Sequence, residues 1–191
     1  MTAQLILASA SPRRRELLDQ IKARYSVCPV DIDETPLPEE SPLAYVQRVA
    51  ADKSRACVER FGHALPVLAA DTIVVLEQKI LGKPKDHDDA LAMLTQLSGK
   101  THQVYSAISL RGRRHDQAVS VSEVMFKKLT AQEIAAYWLS GEPVGKAGAY
   151  AIQGVGAVFI ESIKGSYSGV VGLPLFETAE LLLKQGIELF E

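Results

Sequence analysis

Apolar and polar residues alternate in blocks along this 191-residue chain, and the blocks predict alternating strands and helices. An apolar run at residues 5–7 indicates a buried strand, and a helix with one apolar face follows from Pro12. The most apolar stretch, residues 65–76, is rich in β-branched side chains and predicts a pair of central strands or one bent strand. Two segments with period-two alternation, residues 101–110 and 117–126, predict a hairpin around a polar turn.

Capping signals set the ends of the other helices. The Ser-Pro pair at residues 41–42 predicts a helix start, and apolar residues recur at helical spacing from there to about Phe61. Thr130 and Glu133 have the spacing of a capping box, which begins another helix. Pro174 is expected at the first position of the last helix, where its missing N–H costs nothing.

Composition limits the classes of function. Hydrophobic residues make up 47% of the chain, enough for one large domain or two small lobes. Because 21 basic residues and 23 acidic residues leave a net charge of −2, a general attraction to nucleic acid is not supported, and any phosphate site must be local. No apolar run approaches the roughly 20 residues that span a bilayer, and no export signal precedes the first strand. We therefore expect a cytoplasmic protein without a membrane or nucleic-acid partner.

Cysteine and histidine do not favour a zinc site. Cys28 and Cys57 are too few for a disulfide framework and lie far apart in the sequence. The four histidines have no ligand spacing; they are His63, His87, His102 and His115. Acidic side chains are left as the candidate metal ligands.

The start of the first predicted helix has the residues of an anion site. Ser11 is a candidate N-cap, and three arginines follow in the first turn, where the positive end of the helix dipole disfavours them. A bound phosphate group would use the free backbone N–H groups, the hydroxyls of Ser9 and Ser11 and the guanidinium groups of these arginines together. The alternative is a basic helix start exposed to water.

Two carboxylates and a lysine add to this site. Asp71 interrupts the most apolar stretch, so it should be paired with a lysine, hydrogen-bonded or bound to a metal ion; the alternative is an aspartate that caps a strand end with Thr72. Glu34 lies near a strand end, and oxygen ligands are those that magnesium prefers. Lys83, between glycine and proline, is a candidate partner for phosphate or carboxylate. Together these groups suit an enzyme that acts on a nucleotide polyphosphate.

A glycine-rich segment at residues 142–156 would let the backbone approach a ligand closely. Gln153 within it can offer both a donor and an acceptor to a base edge. The alternative is a glycine-rich connection between strands. The chain contains no P-loop, and no Gly-x-Gly-x-x-Gly follows the first strand, so a P-loop kinase and a dinucleotide dehydrogenase are disfavoured.

Five motifs together resemble those of the Maf family of nucleoside triphosphate pyrophosphatases. They are Ala-Ser-Ala-Ser-Pro-Arg-Arg at 8–14, Ala-Asp-Thr at 70–72, Leu-Gly-Lys-Pro at 81–84, Lys-Ala-Gly-Ala-Tyr-Ala-Ile-Gln-Gly at 146–154, and residues 165–174. The resemblance covers nearly the whole chain. It implies an α/β fold with an elongated mixed sheet flanked by helices, related to the inosine triphosphatase fold. It further implies one domain, 1–191, with the nucleotide in a cleft between two lobes, and a homodimer.

The resemblance also implies roles for single residues in a metal-dependent cut between the α and β phosphates. Asp71 would be the proton acceptor that activates water, and Glu34 and Asp71 would contact the divalent cation, Mg²⁺ or Mn²⁺. The residues that would hold the triphosphate are Ser9, Arg13, Arg14, Lys53 and Lys83. The residues that would select the base are Arg13, Thr72 and Gln153.

The resemblance extends to one branch of the family. Ala-Asp-Thr with Ile-Gln-Gly is similar to the branch that acts on dTTP and UTP, whereas the branch that acts on 7-methyl-GTP carries Ser-Asp-Gln and Glu-Gly. The product would be a nucleoside monophosphate and pyrophosphate. Gly145 is a departure, because relatives usually have aspartate before Lys-Ala-Gly. The contact that this aspartate makes in relatives, which would hold Lys146, is therefore not expected in this chain.

Two other functions compete with this interpretation. Asp31 and Asp33 fit the Asp-x-Asp-x-Thr pattern of haloacid-dehalogenase-type phosphatases, which would release inorganic phosphate. A protein that senses a nucleotide without cutting it, and regulates division, is the second; the name of the Maf family reflects a link to septum formation. In a sensor, Asp71 would not be needed.

Overall fold

The computed structural model describes residues 2–62 and 64–189, and within them seven strands form one mixed sheet. The strands are β1 (Leu5–Leu7), β2 (Tyr25–Val27), β3 (Val67–Leu76), β4 (Lys79–Leu81), β5 (Thr101–Arg111), β6 (His115–Phe126) and β7 (Ile160–Lys164). Their order is β2-β1-β3-β5-β6-β7, and β4 pairs with β3. β1 is parallel to β2 and β3, and the other pairs are antiparallel.

Helices flank this sheet, which confirms the α/β class with a mixed sheet. The α-helices of the described residues are α1 (Pro12–Gln20), α2 (Pro42–Phe61), α3 (His87–Leu97), α4 (Ala131–Leu139), α5 (Tyr167–Val171) and α6 (Leu175–Lys184). Two 3-10 turns, Ala147–Ala149 and Val155–Phe159, lie within or beside the glycine-rich segment. No helix of residues 2–62 and 64–189 is both long and apolar enough to cross a membrane.

The helix starts follow the predicted signals closely. The Ser41 hydroxyl accepts the N–H of Ala44, and the helix runs to Phe61 as expected. The capping box of Thr130 and Glu133 is formed in both directions. Pro174, however, is the N-cap of α6 and not its first residue, so this prediction was off by one position.

The structure decides between the two alternatives for residues 65–76 and corrects the hairpin turn. Residues 65–76 contain one strand, β3, which was one of the two alternatives, because β3 is antiparallel to β5 from Val67 to Val75 without interruption. The hairpin turn is shorter than expected, because Arg111 still pairs with His115.

The two faces of β3 belong to different cores. Ile73 and Val75 pack with Tyr45, Val46 and Val49 of α2. Ala70 and Val74 lie in the larger core, which also contains residues of α3, α4 and α6. Because successive side chains of a strand point to opposite faces, Asp71 faces α2 and Thr72 faces the larger core.

One edge of β3 is only partly covered. On this edge β1 pairs with Val67 and Leu68, and β4 pairs with Val74 to Leu76. Between these pairings, residues 69–73 have no strand partner on this side among the residues that the structure describes. Asp71 and Thr72 therefore stand at an open stretch of sheet edge.

One buried histidine, His102, packs against aromatic side chains of the larger core. His102 is 2% exposed, and its Nε2 lies 2.8 Å from the hydroxyl of Tyr150. Its ring also contacts Phe126 edge to face, with the ring centroids 5.0 Å apart. Burial lowers the pKa of His102 from 6.5 to about 4.

This pKa shift predicts a loss of stability in mild acid. Between pH 6.5 and 4 the unfolded chain binds a proton at His102 that the folded chain does not, so the free energy of unfolding falls as the pH falls. From this residue alone we expect a loss of about 2 kcal/mol between pH 7 and pH 5. Urea unfolding of the wild type and His102→Gln at both pH values checks this, since the difference between the two proteins should shrink at pH 5. An unchanged difference would contradict it.

Candidate active site

A cavity of about 550 Å³ lies at the open edge of β3. It collects residues from the start of α1, from α2, from both faces of β3, from the loop after β4 and from residues 144–152 and 170–172. The site residues predicted from the sequence that line it are Ser9, Arg13, Arg14, Glu34, Lys53, Asp71, Thr72 and Lys83. These residues come from separate elements of the chain, and the fold brings them together.

Lys53 bridges the two carboxylates of the cavity. Its Nζ lies 2.9 Å from Asp71 Oδ1 and 2.8 Å from Glu34 Oε1. The side chains of Lys53 and Asp71 are 12% and 9% exposed, whereas that of Glu34 is 39% exposed. Burial alone would raise the pKa of Glu34, but the hydrogen bond and charge of Lys53 lower it overall. The expectation of a lysine partner for Asp71 is confirmed, and the alternative of a strand-end cap was wrong, because Asp71 lies in the middle of β3.

Arg14 ties the start of α1 to the far end of the chain. Its Nε donates to the Gly172 carbonyl at 2.9 Å, and its Nη1 donates to Ser9 Oγ at 3.1 Å. Ser9 Oγ also accepts the N–H of Ser11 at 3.2 Å. Ser11 is the N-cap residue of α1, but its side chain makes no capping bond, and the first turn contains no acidic residue.

The electrostatics at this helix start favour an anion. Burial lowers the pKa of Arg14, although the Asp71 carboxylate opposes the shift, and burial also lowers the pKa of Arg13. Both guanidinium groups are therefore partly removed from water beside free N–H groups at the positive end of a helix. A phosphate group at this position would satisfy the N–H groups and both side chains.

Thr72 belongs to a chain of hydroxyl groups on the other face of β3. Its Oγ1 lies 2.8 Å from Ser106 Oγ and 3.4 Å from the Gly172 carbonyl oxygen. Ser106 is fully buried and donates to the Gly169 carbonyl at 2.6 Å. Sequence reasoning did not select Ser106, since a serine in an alternating strand is ordinary.

The glycine-rich segment is organised by Glu142. Its carboxylate accepts hydrogen bonds from the Tyr137 hydroxyl at 2.6 Å and from the N–H groups of Val155 and Gly156 at 2.8 and 2.9 Å. A Cβ on Gly154 would overlap this carboxylate, so a side chain at this position would displace Glu142 from its present contacts.

Gln153 lies in the loop that Glu142 holds, but its side chain is exposed and does not line the cavity. Of the predicted site residues, it is the one that the described fold leaves outside. Its assignment to base selection stays a prediction.

Gly145 and Lys146 do line the cavity, as Arg13 does. Burial lowers the pKa of Lys146, and the charge of Arg13 lowers it further. Lys146 Nζ donates to the Val144 carbonyl at 3.4 Å. Gly145 has φ 72°, a conformation that most L-residues disfavour, and open space beside it.

The donor set suits a divalent cation that arrives with phosphate. Glu34 and Asp71 present hard oxygen atoms to one point, since a single ammonium group contacts both. In the described residues, no group of three or more histidine, cysteine, aspartate and glutamate side chains could hold a metal ion. Divalent cations in nucleotide sites commonly take one or two protein carboxylates together with phosphate oxygens. His63 lies outside the described residues.

The pair Asp31 and Asp33 is not part of the cavity lining, which contains Glu34 from the same loop. Both side chains are exposed, and Asp33 accepts the N–H of Thr35 at 2.8 Å. This placement does not favour the phosphatase alternative, in which the first aspartate must attack phosphorus.

Comparison with known proteins identifies the family. The family model described as Maf-like protein matches residues 4–185. The chain is 50% identical to a dTTP/UTP pyrophosphatase of Pasteurella multocida, with 98% of each chain covered. It is 53% identical to one of Methylococcus capsulatus, covering 96% of this chain and 92% of the relative. It is also 52% identical to one of Nitrosomonas europaea, covering 97% and 96%.

Among solved structures, the Ham1 protein of Staphylococcus aureus matches 64% of this chain and 71% of its own, with a TM-score of 0.47 and 16% identity. The family assignment depends on the sequence matches alone. Because these matches span nearly the full chain at about 50% identity, this chain belongs to the Maf family.

Proposed function

We propose that this protein hydrolyses dTTP and UTP to the nucleoside monophosphate and pyrophosphate. The observation that carries the proposal is one cavity in which a buried carboxylate, Asp71, stands beside a cluster of cationic side chains. The relatives at about 50% identity are named for this activity.

The cationic side chains would bind the triphosphate. Ser9, Arg13 and Arg14 at the start of α1 would receive one phosphate group, and Lys83 and Lys53 would receive others. Their charges offset the negative charge that builds up on the leaving pyrophosphate. Arg14 is already oriented by Ser9 and the Gly172 carbonyl, so little side-chain entropy is lost on binding.

Asp71 would accept the proton of the attacking water. It is buried, it faces the charged half of the cavity, and Lys53 holds one of its oxygens at 2.9 Å, leaving the other for water or metal. Glu34 and Asp71 would hold the divalent cation, Mg²⁺ or Mn²⁺, which when bound neutralises phosphate charge and polarises the bond that breaks.

The apolar half of the cavity would receive the base. Val74, Val104, Tyr150 and Ile152 line it on the Thr72 face of β3. Arg13, Thr72 and Gln153 would select the base, and Gln153 would have to turn inward when the nucleotide binds. We infer further that residues 1–191 form one domain of two lobes with the nucleotide between them, and that two copies form a homodimer.

A panel of nucleoside triphosphates with Mg²⁺ tests this function, with pyrophosphate and free phosphate assayed separately. We expect pyrophosphate from dTTP and UTP, and little from purine triphosphates. Free phosphate as the product, or no turnover of any triphosphate, would reject the proposal. Replacing Mg²⁺ by EDTA should abolish turnover.

A further inference from the structure

The hydrogen-bond partners of Thr72 and Ser106 determine which hydroxyl group donates and which accepts. The Gly169 carbonyl can only accept, so the 2.6 Å bond to it uses the hydrogen of Ser106. The 2.8 Å contact between Ser106 Oγ and Thr72 Oγ1 therefore needs the hydrogen of Thr72. Both hydroxyl hydrogens are thus used within the protein, that of Thr72 on Ser106 and that of Ser106 on Gly169.

A second acceptor near Thr72, the Gly172 carbonyl, does not change the donation from Thr72 to Ser106. The Gly172 carbonyl lies 3.4 Å from Thr72 Oγ1 and already accepts the Nε–H of Arg14 at 2.9 Å. The shorter contact to Ser106, which is fully buried, decides the orientation. Thr72 is half-buried and lines the cavity, so what its Oγ1 offers to a ligand is a lone pair.

Thr72 stands on the face of β3 that carries the apolar lining of the cavity, and Arg14 contacts the same Gly172 carbonyl as Thr72 does. Thr72 shares that face of β3 with Val74, and Val104, Val170 and Val171 line the same region. The two carboxylates and Lys53 lie on the opposite face of β3. A polar atom that can only accept is matched by a base edge that donates at that point.

We propose that Ser106 is a positioning residue that makes Thr72 an obligate acceptor, and that Thr72 thereby selects bases with an imino N–H over bases with a ring-nitrogen lone pair at that position. Uracil and thymine donate with N3–H, whereas N3 of cytosine presents a lone pair and would meet the lone pair of Thr72. The inference rests on the proposed function, because it assumes that the ligand is a pyrimidine nucleotide.

Binding of UTP and CTP, measured by calorimetry in EDTA so that no turnover occurs, tests this role. In Ser106→Ala, the Thr72 hydroxyl loses its nearer acceptor and keeps only the 3.4 Å contact with the Gly172 carbonyl, so it can rotate to donate to cytosine. We expect the ratio of UTP affinity to CTP affinity to fall about tenfold. Thr72→Val should lower the ratio similarly, and Thr72→Ser, which keeps the hydroxyl, should retain it.

Two further variants separate positioning from a general structural effect. Ser109→Ala removes another fully buried serine hydroxyl of β5, one that contacts Ser54 and His115 away from the cavity, and it should leave the ratio unchanged. In the Thr72→Val background, Ser106→Ala should lower the ratio no further, because its effect passes through Thr72.

A wild-type ratio in Ser106→Ala, or an equal further loss in the Thr72→Val background, would overturn the inference. If Ser106→Ala does not fold, the comparison of Thr72→Val with Thr72→Ser decides it, since equal ratios in the two would overturn it as well. Because binding is measured without turnover, an enzyme that binds UTP selectively but releases no pyrophosphate would reject the proposed function and leave this inference standing.

Discussion

Asp71→Asn is expected to lower kcat for UTP and dTTP by about 1,000-fold while the protein stays folded. Asparagine has nearly the same shape and can still accept the hydrogen bond of Lys53 through its amide oxygen, but it cannot take a proton from water. The pyrophosphate assay measures the loss, and thermal unfolding measured by circular dichroism shows whether the fold is retained.

Asp52→Asn is the matched control for this variant. Asp52 lies next to Lys53 on α2, but it pairs with Arg48 and Arg55 and does not line the cavity. Its kcat should equal that of the wild type. Undiminished turnover in Asp71→Asn would contradict the assigned role, and would favour a protein that senses nucleotides without needing this carboxylate.

Lys53→Met is expected to reduce the free energy of unfolding at pH 7 by about 3 kcal/mol, because it leaves the buried Asp71 carboxylate without its partner. Glu34 also loses this partner, but it is more exposed and contributes less. The same variant should lower kcat/KM by about 100-fold, since a cation of the triphosphate site is lost. Urea unfolding and steady-state kinetics measure the two effects.

The double variant Lys53→Met with Asp71→Asn tests the cause of the instability. Without the Asp71 charge, the cost of removing Lys53 should fall to about 1 kcal/mol. Lys100→Met provides the exposed comparison, because Lys100 pairs with Glu77 at 3.1 Å with both side chains largely in water, and its cost should be below about 1 kcal/mol. If Lys53→Met costs as much in the Asp71→Asn background as in the wild type, the ion pair is not the source of the instability.

Local signals in the sequence were sufficient for most of the elements. The Ser41 cap, the capping box at Thr130 and the period-two hairpin depend on residues close together in the chain, and all three were confirmed. The short helix α5 was missed, since five residues carry little periodicity and its start depends on the Ser166 side chain, which accepts the Gly169 N–H.

The site was predictable in kind but not in detail. The cost of burying a carboxylate predicted that Asp71 has a partner, yet that partner, Lys53, is on a helix 18 residues earlier, where a lysine by itself indicates only a surface position. Ser106 contacts residues 34 and 63 positions away and has no local signature. Gln153 is exposed in a loop whose Val155 and Gly156 N–H groups bind Glu142, and the sequence pattern does not predict this contact between residues 13 and 14 positions apart.

The bond that is cut distinguishes the proposed function from its alternatives most directly, and ³¹P NMR of UTP turnover with Mg²⁺ identifies it. We predict that UMP and pyrophosphate appear in equal amounts, with no UDP at any time. UDP together with orthophosphate would place the cut between the β and γ phosphates, and would contradict the assignment of this cavity to α-β hydrolysis.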